Sequence, residues 1–212
     1  MQLFLDSASL DEIRAASELG FLDGVTINPA LLAQQSRPLD QLVQEICALV
    51  AGPVCVPVRH QRDADIVKEA RTLAELHDQV IVKIPIHEDG LRAMGRLHSE
   101  GIRTHATLCC TATQALLAAK CGAYYVSPFV ARLDAIGSSG ADVVLQILEI
   151  YDNFEFDTRV MVASIRNTLQ VQEAAVLGVD GCTISWAVMR QLHQHPLSDT
   201  LQQNYMADWP RS

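Results

Sequence analysis

The chain has 212 residues, of which 49% are hydrophobic and 19% charged, a composition typical of a soluble globular protein and not of a disordered one. Its length fits a single domain of α/β-barrel size, and we predict one domain over residues 1–212. Sixteen basic against 25 acidic residues give a net charge of −9, which disfavours non-specific nucleic-acid binding, so we expect no nucleic-acid partner.

Short apolar strands alternate with amphipathic helices along the chain. The predicted strands are residues 2–6, 24–28, 54–59, 80–84, 103–108, 124–128, 159–163 and 181–185. The predicted helices are residues 9–19, 39–50, 63–77, 88–99, 112–121, 140–151, 168–177 and 187–194. A ninth helix is predicted at residues 197–208.

The order of these elements predicts the fold. A strand followed by a helix is typical of parallel βαβ units, and eight such units close into a (β/α)8 TIM barrel. We therefore predict an α/β protein, a TIM barrel with an extra C-terminal helix. The alternative is an open doubly wound sheet, but no G-x-G-x-x-G motif follows the first strand and no P-loop occurs.

The amino terminus and the cysteines indicate a cellular compartment. Residues 1–6 lack a basic leader followed by a long apolar stretch, and no window approaches the roughly 18 apolar residues of a membrane span. The six cysteines are scattered, without a C-x-x-C pair or a histidine at metal-ligand spacing. We expect a cytoplasmic protein with reduced thiols, no membrane partner and no metal.

Lys83 is the most informative single residue. It lies in Val80-Ile81-Val82-Lys83-Ile84-Pro85-Ile86, where every neighbour is apolar. Such a run predicts a buried strand, in which a lysine either loses its charge readily or extends to water at the strand end. A desolvated lysine has a lowered pKa, and its neutral amine is a nucleophile toward carbonyl groups.

Polar residues lie at the ends of most predicted strands, where TIM barrels carry their catalytic groups. This set is Asp6, Asn28, Arg59, Lys83, Thr107, Ser127, Arg132, and Ser164 with Arg166. Singly, each has an ordinary explanation, such as a helix cap for Asp6 or a surface pair of Arg132 with Asp134. Together, they supply the carboxylate, hydroxyl-binding groups and phosphate-binding cations that a carbonyl-condensing lysine needs.

Seven motifs extend this pattern over nearly the whole chain. They are Leu5-Asp6-Ser7-Ala8, Gly24-Val25-Thr26-Ile27-Asn28-Pro29, Val82-Lys83-Ile84-Pro85, Thr107-Leu108, Tyr125-Val126-Ser127-Pro128-Phe129, Arg132-Leu133-Asp134 and Ala163-Ser164-Ile165-Arg166. In order and spacing they resemble the transaldolase family, in particular its short branch that includes fructose-6-phosphate aldolase. The ending, from His195-Pro196-Leu197 to Asp208-Trp209, is similar as well.

This resemblance implies a class I aldolase barrel that needs no cofactor. Lys83 would form a Schiff base with a ketose phosphate. Asp6 would take the proton of the C4 hydroxyl while the C3–C4 bond breaks. The dihydroxyacetone unit would stay on Lys83 until a second aldehyde collects it.

The resemblance also assigns the binding residues. Asn28 and Ser127 match positions that hold the dihydroxyacetone hydroxyls, and Thr26 joins them in the substrate-binding set. Thr107 matches the residue that positions a water for proton transfers to and from the Schiff base. The phosphate-binding group is matched by Arg132, Ser164 and Arg166.

Small members of the family are often ring-like decamers whose terminal helix packs on a neighbour. The resemblance therefore implies a homo-oligomer, of which a decamer is one form, with the helix at residues 197–208 on the neighbouring subunit.

Two positions favour transfer over free aldol cleavage. The aldolase branch has tyrosine where this chain has Phe129, which has no hydroxyl proton to give. Ser127 is also the residue found in transaldolases, whereas the aldolase branch has alanine there. We therefore expect transfer of dihydroxyacetone, with Phe129 in the substrate-binding set.

The third strand departs from the family pattern. The family has glutamate or glutamine, which holds the catalytic water with Thr107, where this chain has Pro57. Strand alternation would place Arg59 on the same face as Pro57. Arg59 would then either stabilise an anionic group of an unusual substrate or extend into solvent. His105 also differs from the common pattern, and the sequence assigns it no role.

Three hypotheses follow. The first is a transaldolase that moves dihydroxyacetone from fructose 6-phosphate to an aldose phosphate, so its partners are sugar phosphates. The second is a fructose-6-phosphate aldolase-like or variant transaldolase that uses a non-standard ketose, prompted by Pro57 and Arg59. The third is a barrel that binds sugar phosphates without turnover, which the presence of Asp6, Lys83 and Thr107 disfavours.

Overall fold

The computed structural model of the protein describes residues 1–209. Its strands are β1 (Gln2–Asp6), β2 (Gly24–Thr26), β3 (Val54–Pro57), β4 (Val80–Pro85), β5 (Thr104–Cys109), β6 (Tyr125–Pro128), β7 (Arg159–Val162) and β8 (Gly181–Ile184). Each strand is parallel to the next in sequence, and β8 pairs with β1, so the sheet closes into a barrel. The predicted TIM barrel is confirmed.

Helices surround the barrel and connect its strands. They are α1 (Leu10–Glu18), α2 (Pro29–Leu32), α3 (Leu39–Leu49), α4 (Asp63–Ala74), α5 (Glu88–Ser99), α6 (Ala112–Lys120), α7 (Val130–Asp134), α8 (Gly140–Asn153), α9 (Thr168–Leu177), α10 (Trp186–Gln191) and α11 (Pro196–Ala207). The short helices α2 and α7 were not predicted, because four or five residues do not establish a helical period.

Two predicted strands, the second and the third, end two residues earlier than expected, and each has a local cause. β2 stops at Thr26 because Asn28 caps α2 and Pro29 occupies the first helical turn. β3 stops at Pro57, and the backbone N–H of Arg59 donates to Glu69 Oε2 on α4 instead of to a neighbouring strand. The predicted extension of the third strand to Arg59 is therefore wrong.

Side chains alternate between the two faces of the barrel wall. Outward residues such as Val56, Val82 and Ile84 belong to the main apolar core. Inward residues lower in the barrel form a separate buried apolar cluster of Phe4, Cys55, Ile81, Tyr125 and Met161. Because side chains repeat with a period of two, the inward residues of the next layer follow two positions later, and most of them are polar.

This next layer lies at the carboxyl ends of the strands. The strand pairing sets Pro57 beside Lys83 and Lys83 beside His105. The apolar cluster below closes the barrel to water from that side, so the polar layer is the floor of an opening at the carboxyl end.

The C-terminal helix α11 is one residue displaced at each end from the predicted 197–208. None of its side chains is buried by the described part of the chain. Leu197, Leu201 and Tyr205 are each more than half exposed. Among residues 1–209, no helix is both long enough and apolar enough to cross a membrane.

Candidate active site

A cavity of about 600 Å³ opens at the carboxyl end of the barrel. It brings together eight of the eleven residues assigned to the site from sequence. These are Asp6, Asn28, Lys83, Thr107, Phe129, Arg132, Ser164 and Arg166. TIM-barrel enzymes place their active sites at this end, and a concave site with convergent polar groups is typical of ligand binding.

Lys83 lies on β4 at the floor of the cavity and is only 6% exposed. Its Nζ donates to the carbonyl of Ile27 at 3.4 Å. Burial lowers the pKa of Lys83, and the negative charge of Asp6 opposes that shift only in part. The amine is therefore more readily available in its neutral, nucleophilic form than an ordinary surface lysine.

Asp6 ends β1 and faces the same cavity. Its Oδ1 accepts from Thr26 Oγ1 at 3.0 Å, and Asn28 Nδ2 donates to both carboxylate oxygens, at 3.3 and 3.1 Å. Within residues 1–209, no ion pair is formed by Asp6 or by Lys83. The carboxylate is therefore oriented by neutral donors and stays apart from the amine.

Thr26 is buried and lies outside the cavity lining. Its hydroxyl contacts Asp6 and also Thr183 on β8. Its position in the structure is thus that of a support for the carboxylate.

Arg132 and Arg166 bring two positive charges to the cavity. The surface pair of Arg132 with Asp134 considered above is not formed. Asp134 instead accepts from the backbone N–H of Gly140 and from Gln170 Nε2. Among residues 1–209 neither arginine pairs with a carboxylate, so both guanidinium groups are available to an anion.

Two backbone distortions flank the cavity. Ser164, two residues before Arg166, has φ of 64°, and Leu108 has φ of 61°. The register between β5 and β6 shifts between Ala106 and Cys109, which places Leu108 in a bulge directly after Thr107. Left-handed leucine is unusual, and backbone strain of this kind concentrates at functional sites.

Ser127 is not part of the cavity lining. Its side chain is fully buried, and its hydroxyl lies 2.7 Å from the carbonyl oxygen of Met161 and 2.6 Å from His105 Nε2. In this structure the hydroxyl is engaged with protein groups, and its assignment to substrate binding stays a prediction.

Arg59 is exposed and lies outside the cavity lining, where Val58 takes part instead. Its backbone and that of His60 are fixed by Glu69, whose carboxylate also contacts His60 Nδ1 at 2.8 Å. The side chain of Arg59 extends from a rim loop, and a role in binding substrate likewise stays a prediction.

Three polar lining residues at the β8 end were missed from sequence. They are Thr183, Ser185 and Gln191. Thr183 and Ser185 are two residues apart, so strand alternation places both on the inner face of the barrel, and this spacing could have identified them from sequence. Gln191 is contributed by α10 and carries no such feature.

The family model described as Transaldolase/Fructose-6-phosphate aldolase matches residues 3–209. The chain belongs to this family. A probable transaldolase of Myxococcus xanthus is 48% identical over 212 residues, covering 100% of this chain and 95% of that protein. A probable transaldolase of Aquifex aeolicus is 47% identical over 211 residues, covering 100% of this chain and 97% of that one.

The fold is also shared outside the transaldolase family. The thiamine phosphate pyrophosphorylase from Pyrococcus furiosus superposes with a TM-score of 0.60 at 17% identity, covering 89% of this chain and 87% of that one. At that identity the likeness concerns the barrel alone, because one barrel fold supports many chemistries.

Proposed function

We propose that the protein is a transaldolase that transfers dihydroxyacetone from fructose 6-phosphate to an aldose phosphate through a Schiff base on Lys83. The observation that carries the proposal is a buried lysine, with a lowered pKa, in one cavity with an oriented carboxylate and two unpaired arginines. Family membership supports the same chemistry.

The first step is imine formation. The neutral amine of Lys83 adds to the C2 carbonyl of the ketose to give a carbinolamine. The carbinolamine hydroxyl takes up a proton and leaves as water, which gives the iminium ion. Because burial lowers the pKa of Lys83, a larger share of the amine is neutral near pH 7 than for a surface lysine.

The second step breaks the C3–C4 bond. Asp6 accepts the proton of the C4 hydroxyl, the hydroxyl oxygen becomes a carbonyl, and the aldose leaves. The electron pair of the broken bond is delocalised into the iminium ion as an enamine. Thr26 and Asn28 keep the carboxylate aimed while the substrate is bound.

The remaining steps are the reverse of bond cleavage and imine formation, with the acceptor aldose phosphate in place of the aldose that left. The enamine carbon attacks the acceptor aldehyde, and Asp6 returns its proton to the new hydroxyl. Hydrolysis of the iminium ion then frees Lys83 and releases the new ketose phosphate.

The phosphate of donor and acceptor would lie at Arg132 and Arg166. Guanidinium groups bind phosphate through paired, charge-assisted hydrogen bonds, and both lack competing carboxylates within residues 1–209. Ser164, which also lines the cavity, supplies a further hydroxyl.

Phe129 favours transfer over release of free dihydroxyacetone. It lines the cavity with an apolar ring and has no hydroxyl to assist protonation of the enamine by water. A second candidate function is a variant enzyme that uses a non-standard ketose. It is favoured by Pro57, which also lines the cavity where the family has glutamate or glutamine.

Borohydride trapping tests the proposal directly. Reduction in the presence of fructose 6-phosphate should add one three-carbon or six-carbon unit to the peptide that contains Lys83. A Lys68→Met variant, which lacks an exposed lysine of α4, should be labelled equally well. An unlabelled Lys83, under conditions that label a known transaldolase, would refute the mechanism. Stronger labelling by a sulfonated ketose than by fructose 6-phosphate would favour the variant enzyme.

We also propose that the protein is a homo-oligomer in which α11 packs on a neighbouring copy of the chain. An isolated 12-residue helix is marginally stable in water, and α11 has no buried side chain in its own chain. Leu197, Leu201 and Tyr205 are spaced by four residues and so form one apolar face.

A charge on that face should dissociate the assembly. Leu201→Glu is expected to lower the molar mass measured by sedimentation equilibrium, while the circular dichroism of the barrel is unchanged. Gln203→Glu, with the same charge on another face of α11, is the matched control and should leave the mass as it is. A wild-type monomer, or an assembly insensitive to Leu201→Glu, would contradict the proposal.

A further inference from the structure

The side chain of Gln170 connects the two segments that carry the arginines of the cavity. Its Oε1 accepts from the backbone N–H of Arg166 at 2.9 Å, and its Nε2 donates to Asp134 Oδ2 at 3.0 Å. Asp134 is the last residue of α7, the five-residue helix that also contains Arg132. A single side-chain amide therefore joins α7 to the loop that follows β7.

The orientation of the Gln170 amide follows from its neighbours. A backbone N–H can only donate, so the group that faces Arg166 is the amide oxygen. An ionised carboxylate can only accept, so the group that faces Asp134 is the amide nitrogen. The other carboxylate oxygen of Asp134 accepts from the backbone N–H of Gly140, at the start of α8. Each group in this chain of hydrogen bonds is thus defined as a donor or an acceptor.

Helix capping explains only half of this arrangement. Gln170 is the third residue of α9, and a glutamine at that position commonly accepts from a backbone N–H that precedes the helix. Gln114 does so at the same position of α6, where its Oε1 accepts from the N–H groups of Cys110 and Thr111. Capping uses the amide oxygen alone. The bond from Gln170 Nε2 to Asp134, on another segment, needs a different explanation.

The loop that carries Arg166 leaves β7 through a strained turn. Ala163 still pairs with the residue before α7, but the next residue, Ser164, has φ of 64°. A residue other than glycine stays in the left-handed region only where its surroundings hold it there. Beyond this turn, the two bonds of Gln170 fix the backbone of Arg166 relative to α7, and so relative to Arg132.

We propose that the hydrogen bond between Gln170 and Asp134, the Gln170–Asp134 bridge, sets the spacing of the Arg132 and Arg166 guanidinium groups and thereby makes the enzyme select phosphorylated sugars over unphosphorylated ones. The inference rests on the proposed function, in which these arginines bind the phosphate. Paired hydrogen bonds to a phosphate are strongest when their donors are already in place before the ligand binds. Gln170 and Asp134 lie outside the cavity lining, so both are positioning residues.

Exchanging donor and acceptor tests the bridge. Gln170→Glu keeps an oxygen for the N–H of Arg166 but sets a second carboxylate against Asp134. Asp134→Asn needs its oxygen for Gly140, so it sets its amide nitrogen against that of Gln170. Together the two substitutions again oppose a donor to an acceptor, with the direction reversed and the net charge of wild type. Gln114→Glu adds the same charge at the equivalent position of α6 and is the matched control.

Two measurements report on the phosphate site. The first is the second-order rate constant for borohydride trapping on Lys83, compared between fructose 6-phosphate and fructose, which differ only in the phosphate. The second is the Kd of inorganic phosphate from titration calorimetry, which does not depend on imine formation. Asp134 is exposed and Gln170 half-buried, so we expect every variant to fold.

Each single substitution in the bridge should weaken recognition of phosphate. We expect the preference for fructose 6-phosphate over fructose, and the affinity for inorganic phosphate, to fall roughly 10-fold, because a displacement of about 1 Å can cost up to about 100-fold. Trapping of fructose should keep its wild-type rate. The double variant and Gln114→Glu should match wild type in both measurements.

Asp134→Asn separates the bridge from simple electrostatics. It removes a negative charge from the helix that carries Arg132, so Coulomb attraction alone predicts tighter binding of phosphate. Loss of the bridge predicts weaker binding. Unchanged or tighter binding in Asp134→Asn, or a double variant no better than the single variants, would overturn the inference. Equal loss of trapping with fructose and fructose 6-phosphate would show a general structural effect and would overturn it as well.

The same samples test the proposed function separately. A wild-type protein that binds inorganic phosphate but traps no imine would refute the Schiff-base chemistry, and the calorimetry would still decide whether the bridge sets phosphate affinity. A wild-type protein that traps both ketoses equally and binds no phosphate would refute the phosphate site and the inference with it.

Discussion

Lys83→Met is expected to abolish transaldolase turnover and, at the same time, to stabilise the fold. The loss should be on the order of 10⁴-fold or more, because no other described lysine lies in the cavity to form the covalent intermediate. Methionine matches the lysine stem in volume and has no charge to desolvate. Turnover in a coupled assay and thermal unfolding of the same samples measure the two effects.

The stability gain should depend on pH in a defined direction. Burial lowers the pKa of Lys83 in the folded state below its usual 10.5, so the unfolded chain binds the proton more tightly. The charged lysine therefore destabilises the fold fully below the folded pKa. This penalty declines as pH rises through the folded pKa toward 10.5, and it is absent above that value. The advantage of Lys83→Met should shrink over the same range.

The control for this experiment is Lys68→Met, which removes an exposed lysine of α4. It should change neither turnover nor the pH dependence of stability. For a chain of this size, each kcal/mol of stability corresponds to about 2–4 °C in Tm, so a gain of that order is measurable. A Lys83→Met protein that unfolds at lower temperature than wild type near pH 7 would show that the amine contributes favourably in the folded state.

The barrel could be predicted from sequence because its physical causes are local and repeated. Runs such as Val80–Pro85 combine β-branched residues with a length typical of strands, and each is followed by an amphipathic stretch. The predicted strand ends were wrong where side chains bind backbone groups or start a helix. Asn28 and Pro29 start a helix that replaces the end of β2, and Glu69 engages the backbone of Arg59.

Site residues at strand ends could be predicted from sequence, because the carboxyl ends of parallel strands meet at one end of the barrel. Asp6, Lys83 and Thr107 lie on different strands, and closure of the barrel alone brings them to one cavity. The position of Ser127 could not be foreseen, because it depends on a carbonyl of β7 and on His105.

Asp6→Asn should separate the two halves of the reaction. The amide has no basic oxygen to take the C4 hydroxyl proton, so turnover should fall by about 10²- to 10⁴-fold. Trapping of fructose 6-phosphate on Lys83 should persist, since imine formation does not use the carboxylate in the proposed mechanism. The trapped adduct should then keep all six carbons, because the C3–C4 bond is not broken.

The same substitution should also make the amine more reactive at lower pH. The charge of Asp6 raises the pKa of Lys83 against the larger effect of burial, so removing that charge lowers the pKa of Lys83 further. The pH at which imine trapping reaches half its maximal rate should therefore shift downward while turnover is lost. Asp23→Asn is the control, since Asp23 accepts from the backbone N–H of Leu3 at the opposite end of β1. Loss of trapping together with turnover in Asp6→Asn would mean that Asp6 acts in imine formation, and the division of labour between the two residues would be wrong.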